Sequence, residues 1–146
     1  MSQTSRRTFL KSSLAAGAAF TICGTRSTSR VLGANNRLRI AVAGVNGRGG
    51  SHINGWLDQD NVEIAYLIDP DQKVLTRRLD YVQRKTEGKS TCKGVVDVRE
   101  ALDDKNLDAI SIATPNHWHS LMTIWAAQAG KHVYVEKPMS HDVKEG

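Results

Sequence analysis

Between residues 38 and 135 short apolar runs alternate with amphipathic stretches. Leu38, Ile40 and Val42, with the small Ala41 and Ala43, form the continuous apolar run of a strand buried on both faces. It breaks at Gly44, with glycines again at 47, 49 and 50, and Ser51–Leu57 resumes at helical spacing with Ile53, Trp56 and Leu57 on one side. Val62–Ile68 predicts a second strand ending at Asp69. A helix from about Pro70 to Lys85 follows, with Val74, Leu75, Leu79 and Val82 as its apolar stripe and Arg77, Arg78 and Arg84 as its solvated face. After the polar stretch Gly88–Lys93, Gly94–Val96 predicts a short third strand, and Asp97 an N-cap for a helix over Val98–Leu102. Asp108–Ala113 predicts the fourth strand. Ser120–Ala129 predicts a helix with Leu121, Ile124, Trp125 and Gln128 on successive turns and Gly130 as its stop. His132–Val135 is the fifth strand, and Asp142–Glu145 reads as the start of a further helix.

Strands and helices in strict alternation predict an α/β fold, a Rossmann-like doubly wound parallel sheet that binds its ligand at the C-terminal ends of the strands. Gly44, Asn46 and Gly49 occupy the three key places of a G-x-G-x-x-G turn, with asparagine replacing the middle glycine. The run reads either as a dinucleotide turn or as an ordinary tight strand–helix turn. In the first reading Asn46 tolerates positive φ and its amide donates to a phosphate, while the following helix offers N–H groups and a positive dipole end. Asp69, 25 positions beyond Gly44, has the placement of a carboxylate that accepts ribose hydroxyls and repels a 2′-phosphate, favouring NAD over NADP. It also has the placement of a helix cap, with Pro70 at the first helical position. Asn46, Asp69, Asn116, His119 and Lys137 all fall at predicted strand ends, which points to a cofactor site. His117 and His119, two apart at a helix entrance with no third ligand nearby, point apart and predict no metal site. Trp56, Trp118 and Trp125 read as packing groups.

The 146 residues suffice for one domain with a core, and the net charge of +5 invites a nucleic-acid reading that its distribution removes. Arg6, Arg7, Lys11, Arg26 and Arg30 lie in residues 1–34 with no acid, leaving fifteen bases against fifteen acids from residue 35 onward. No nucleic-acid surface is expected. Cys23 and Cys92 are the two cysteines, so the body has neither an internal disulfide nor a zinc cluster. Ser5-Arg6-Arg7-Thr8-Phe9-Leu10-Lys11 resembles the twin-arginine export signal, and Ser12–Ile22 follows as a short, mildly apolar region. At ~1.5 Å per residue that region reaches about 16 Å, too short for a hydrocarbon core of ~30 Å. Residues 1–34 are therefore read as a signal peptide with cleavage near Val31–Ala34, giving a periplasmic protein without stable membrane insertion. Phe20-Thr21-Ile22 lacks the small residue that a lipidated Cys23 needs. The route carries folded proteins, which suits one that takes up its cofactor in the cytoplasm.

From about Arg37 onward the sequence resembles the Gfo/Idh/MocA family, the glucose–fructose oxidoreductases and inositol dehydrogenases. The resemblance rests on A-G-V-N-G-R-G, on Asp69, on A-T-P-N-x-x-H over Ala113–His119, and on G-K-H-V-Y-V-E-K-P over Gly130–Pro138. Exported members with such a leader and turn occur in that family. It implies that Gly44, Asn46, Gly47, Arg48 and Gly49 cradle the pyrophosphate of NAD and that Asp69 holds the adenosine ribose. Thr114, Asn116 and His119 would line the nicotinamide half, with Glu136 and Lys137 beside the nicotinamide ribose and the reacting carbon. Lys137 would be the catalytic residue that binds and polarises a substrate hydroxyl during hydride transfer, a role suited to a mobile ammonium. Family members continue into a second α/β domain carrying the catalytic aspartate and histidine, the substrate pocket and most of a homo-oligomer interface. Residues 35–146 are thus expected to be an NAD(P)-binding domain incomplete at its C-terminus, without its sixth strand and inactive alone. The expected whole is an exported oxidoreductase of a sugar or polyol. The resemblance leaves open an NAD-dependent glycoside hydrolase branch, which alters the E-K-P lysine, and a non-catalytic nucleotide-binding module.

Overall fold

A computed structural model describes residues 37–146; the leader, Cys23 and the predicted cleavage region lie outside the described residues. The elements are β1 (Leu38–Ala43), α1 (Gly49–Leu57), β2 (Val62–Ile68), α2 (Gln72–Lys85), β3 (Lys93–Val95), α3 (Val98–Leu102), β4 (Ala109–Ile112), α4 (His119–Gln128) and β5 (His132–Val135). A single 3-10 turn over Asn116–Trp118 leads into α4. The five strands form one sheet in the order β3-β2-β1-β4-β5, and every pairing is parallel.

Side-chain alternation along β1 explains the layering. Ile40 and Val42 join Ile53 of α1 and Val74, Leu75 and Val82 of α2 on one face. Ala41 and Ala43 turn to the other, where Val98, Ala101, Met122 and Ala126 of α3 and α4 pack. The register of β1 against β2 slips between Ile40 and Ala41, which pair with Ile64 and Tyr66. The extra residue puts Ala65 and Tyr66 in the same core cluster. Strand hydrogen bonding continues past the ends: Gly44 N donates to Ile68 O, Ala113 N to Ala43 O, Asp69 N to Val95 O and Glu136 N to Ile112 O. The loops that follow β1, β2, β4 and β5 therefore leave a common edge.

Several element boundaries differ from expectation by a residue or two. The third strand is Lys93–Val95 rather than 94–96, α1 begins at Gly49, and β4 is trimmed to Ala109–Ile112. Asp71, not Asp69, caps α2, its side chain accepting from Lys73 N and Val74 N. The buried face of α4 is His119, Met122 and Ala126, while Leu121 and Ile124 are 39% and 49% exposed. Six apolar residues spread around that ten-residue helix leave no single stripe for spacing to pick out. Asp142–Glu145 forms turns rather than a helix, with Asp142 Oδ1 accepting from Lys144 N and Glu145 N.

Candidate functional site

A cleft of about 630 Å³ opens at the C-terminal edge of the sheet, between the loops that follow β1, β2, β3 and β4. It brings together Gly44, Asn46, Gly47, Arg48, Asp69 and Thr114 from the predicted set. Two glycines make the turn possible. Gly44 has φ +77°, and a Cβ there would lie 2.7 Å from the Ala113 carbonyl oxygen. A Cβ on Gly49 would lie 1.9 Å from the Gly44 carbonyl oxygen, so the loop closes only around a bare backbone. Gly47 meets nothing within 4 Å. Asn46 is not among the residues with positive φ, so its tolerance of that region is not what places it there. The first turn of α1 has neither a side-chain cap nor an acid, leaving its positive end to the cleft.

Asp69 sits at the tip of β2 and is buried. Its Oδ2 accepts from Val45 N at 3.0 Å and its Oδ1 from Asp71 N at 3.0 Å. The carboxylate thus ties the glycine-rich loop to the start of α2, and each oxygen keeps a lone pair for another donor. Thr114 Oγ1 is buried without a hydrogen-bond partner among the described residues, on a residue that lines the cleft. A turn with no room for side chains, an acid at the β2 tip and a cleft residue whose buried hydroxyl has no partner among the described residues fit a dinucleotide.

The far wall was not anticipated. Val96, Asp97, Arg99, Trp118 and Trp125 line it, so Trp118 and Trp125 border the cleft rather than serving as packing groups alone. Trp56 does pack against the core. The Arg99 guanidinium pairs with Asp97 and lies 5.7 Å from the Trp125 ring centroid. That pairing holds the Asp97 carboxyl at about 2. Residues beyond the third strand are short of motif, and only the polar–apolar alternation of V-D-V-R hinted at them.

The remaining predicted residues lie elsewhere. Asn116 is exposed in the 3-10 turn. His119 is 1% exposed, its Nδ1 2.7 Å from the Pro138 carbonyl oxygen and its Nε2 2.8 Å from that of Thr114. It joins the loop after β4 to the loop after β5 and does not face the cleft. Lys137 is exposed at the β5 tip before a cis peptide to Pro138, and its backbone N–H donates to Glu136 Oε2 at 3.3 Å. Glu136 Oε1 accepts from His52 Nε2 at 3.0 Å and Arg48 Nε at 2.6 Å, while His52 Nδ1 meets Ser111 Oγ at 2.8 Å. These contacts, with His52 foremost, hold the Glu136 carboxyl at about 2, and join the β5 tip to the glycine-rich loop. His52 was missed by sequence reasoning, although a polar residue beside Ile53 on the inward side of α1 was a usable signal. Arg77 and Arg78 also depart from expectation. Arg78 Nε and Nη2 donate to the carbonyls of Val45 and Asn46, and Arg77 Nη2 to Asn46 Oδ1. They brace the loop while Arg77 and Arg84 stay exposed, as a solvated face requires, and Arg78 is half-buried. Among the described residues no helix is long and apolar enough to cross a membrane.

Residues 38–146 match the model of the Gfo/Idh/MocA oxidoreductase family, NAD-binding Rossmann fold, and residues 3–22 that of the twin-arginine translocation signal, which marks the chain for export to the periplasm. The chain is 33% identical over 110 residues to a glycosyl hydrolase family 109 protein of Shewanella baltica, covering 74% of this chain and 24% of that protein. Myo-inositol 2-dehydrogenase from Lactobacillus plantarum superposes with a TM-score of 0.63 at 28% identity, over 75% of this chain and 31% of that one. The WlbA dehydrogenase of Bordetella pertussis, solved with NADH and UDP-GlcNAcA, gives 0.63 at 25% identity, over 76% and 30%. The chain spans about a quarter of the length of the curated relatives it matches. It belongs to the Gfo/Idh/MocA oxidoreductase family, and residues 38–146 are an NAD-binding Rossmann domain of that family.

Proposed function

We propose that this family member is an exported oxidoreductase of a sugar or polyol, with an export leader over residues 1–34 and the NAD-holding domain over 35–146. The cleft carries the reading, because its glycine turn, Asp69 and Thr114, whose buried hydroxyl has no partner among the described residues, line one space. Asn46, Gly47, Arg48 and the start of α1 would take the pyrophosphate, with Gly44 and Gly49 letting the loop close beneath it. Asp69 would accept the adenosine ribose hydroxyls on its remaining lone pairs and repel a 2′-phosphate, so NAD binds more tightly than NADP. A bound nicotinamide supplies the hydride acceptor or donor.

On the chain's side, the Lys137 ammonium would bind and polarise the substrate hydroxyl. Glu136, fixed by His52 and Arg48, would set where the β5 tip stands relative to the glycine loop. His119 would hold the Thr114 loop against Pro138, and Asn116 would edge the nicotinamide half. In the whole protein we expect a homo-oligomer. The S. baltica relative favours a second reading, an NAD-dependent glycoside hydrolase; Lys137 supports the dehydrogenase, since the resemblance assigns an altered lysine to that branch.

The 146 residues are expected to bind NAD without turning over a sugar. Titrating the full chain with NAD and assaying NADH over a panel of sugars and polyols tests this. Binding without NADH supports the reading. NADH from any sugar overturns the expected inactivity, absence of NAD binding overturns the whole, and glycoside cleavage without net NADH replaces it with the second reading.

A further inference from the structure

Arg78 is an unusual resident of a helix surface, because it spends its guanidinium on the backbone of the preceding loop. Its Nε donates to the Val45 carbonyl oxygen at 2.8 Å and its Nη2 to that of Asn46 at 2.8 Å. Both acceptors belong to successive peptide units, and neither is a cis peptide. In a trans peptide the N–H points opposite to the C=O. A guanidinium that draws the Val45 and Asn46 carbonyls to one side therefore turns the Asn46 and Gly47 N–H groups to the other. Asn46 and Gly47 line the cleft and Arg78 does not. Neither N–H has an acceptor among the described residues. The planar fork of an arginine suits two carbonyls in fixed relation, which a lysine ammonium cannot reproduce.

Gly50 supplies an independent sign that the seat is built. A Cβ at Gly50 would stand 2.6 Å from Arg78 Nη2 and 3.0 Å from its Cζ. The last glycine of the run thus clears space for the arginine rather than for a ligand, whereas Gly49 clears space for the loop itself.

We infer that Arg78, seated against Gly50, is the positioning residue that aims the Asn46 and Gly47 N–H groups at an anionic ligand group in the cleft, the diphosphate of a dinucleotide. This rests on the reading of the cleft as the NAD site. Arg78 touches no ligand. Its guanidinium acts through two peptide planes, and Arg77 adds a lesser hold on the Asn46 side chain. The cationic pair also leaves positive charge behind a loop that receives negative charge, which the same substitutions would weaken.

The test uses the full chain and its variants Arg78→Met, Arg78→Lys and Gly50→Ala, each checked for folding by its cooperative melt. Binding of NAD, ADP-ribose and adenosine is measured calorimetrically, and the Asn46 and Gly47 amide resonances are followed as inorganic pyrophosphate is added. The expected result is a roughly tenfold or greater loss for NAD and ADP-ribose in Arg78→Met and Gly50→Ala, with adenosine binding unchanged. Arg78→Lys should recover only part of the loss, and the two amide shifts seen in the parent should vanish in Arg78→Met. Equal weakening of adenosine and ADP-ribose, or no change in either, overturns the inference while leaving the NAD site standing. Should Arg78→Met fail to fold, Gly50→Ala and Arg78→Lys decide on the same criteria. A parent chain that binds no NAD overturns both.

Discussion

Replacing Asp69 with alanine separates the two tasks that the structure gives this carboxylate. The first is internal. Val45 is fully buried, and its N–H donates to Asp69 Oδ2 at 3.0 Å. With the acceptor gone, a buried donor is left unpaired at about 1–3 kcal/mol. Asp71 is exposed, so its N–H, which donates to Oδ1 at 3.0 Å, regains water at less than about 1 kcal/mol. Asp69→Ala should therefore lose ~1–4 kcal/mol of stability and still fold, since domains hold about 5–15 kcal/mol. The second task is the ribose. Losing a charged acceptor for its hydroxyls should cost a further ~1–3 kcal/mol of NAD affinity, about 5- to 150-fold. Asp69→Asn keeps the shape and one acceptor oxygen and should fall between the parent and Asp69→Ala on both measures. Urea melts give the first quantity, and calorimetric titration with NAD and NADP, below the melting range, gives the second. Both variants should also narrow the preference for NAD over NADP. A stability loss with NAD affinity held within about twofold would show that Asp69 only buttresses the loop, and the ribose assignment would fall.

Four further outcomes follow from the same geometry. Gly49→Ala places a Cβ 1.9 Å from the Gly44 carbonyl oxygen and should cost about 3 kcal/mol or more, whereas Gly47→Ala, in open space, should change stability by less than about 1 kcal/mol; urea melts of the two compare them. Glu136 has its folded pKa depressed from 4.5 to about 2, so its stabilisation is full above 4.5 and is lost as pH falls through about 2. The stability deficit of Glu136→Gln should accordingly be constant at neutral pH and shrink below 4.5, and a deficit that grows with acid would contradict the network. Lys137→Met should leave NAD affinity within about twofold of the parent, because Lys137 does not line the cleft; a large loss in titration would show that the lysine holds the cofactor itself. Burial pushes the Cys92 thiol up to about 12, so in Cys23→Ser a disulfide reagent near neutral pH should modify it far more slowly than free cysteine, and prompt reaction would contradict its burial.

The framework was legible because its signals are local. β1, β2 and β5 announce themselves as apolar runs bounded by Gly44, Asp69 and Glu136, and the helix α2 stripe of Val74, Leu75, Leu79 and Val82 is buried or packed as its spacing implied. The glycine turn was legible in position but not in reason, since Gly49 and Gly50 serve different neighbours, the Gly44 carbonyl and the Arg78 side chain. What sequence could not supply was long-range pairing. Arg78 reaching Val45 and Asn46, and His52 reaching Ser111 and Glu136, join residues between 32 and 84 positions apart. Nothing in spacing distinguishes such an arginine from one that is merely solvated. The α4 face was misread for a different reason, because a helix apolar nearly all round carries no periodic signal strong enough to choose a side. His119 was expected at the nicotinamide half through its match to A-T-P-N-x-x-H; here its two ring nitrogens lie against main-chain carbonyls.

The most direct test of the cleft as an NAD site is a crystal structure of the chain grown with saturating NAD. The account predicts the adenosine ribose hydroxyls on the Asp69 carboxylate and the diphosphate against the N–H groups of Asn46 and Gly47. Nucleotide density away from these residues, or none at saturation, would contradict it.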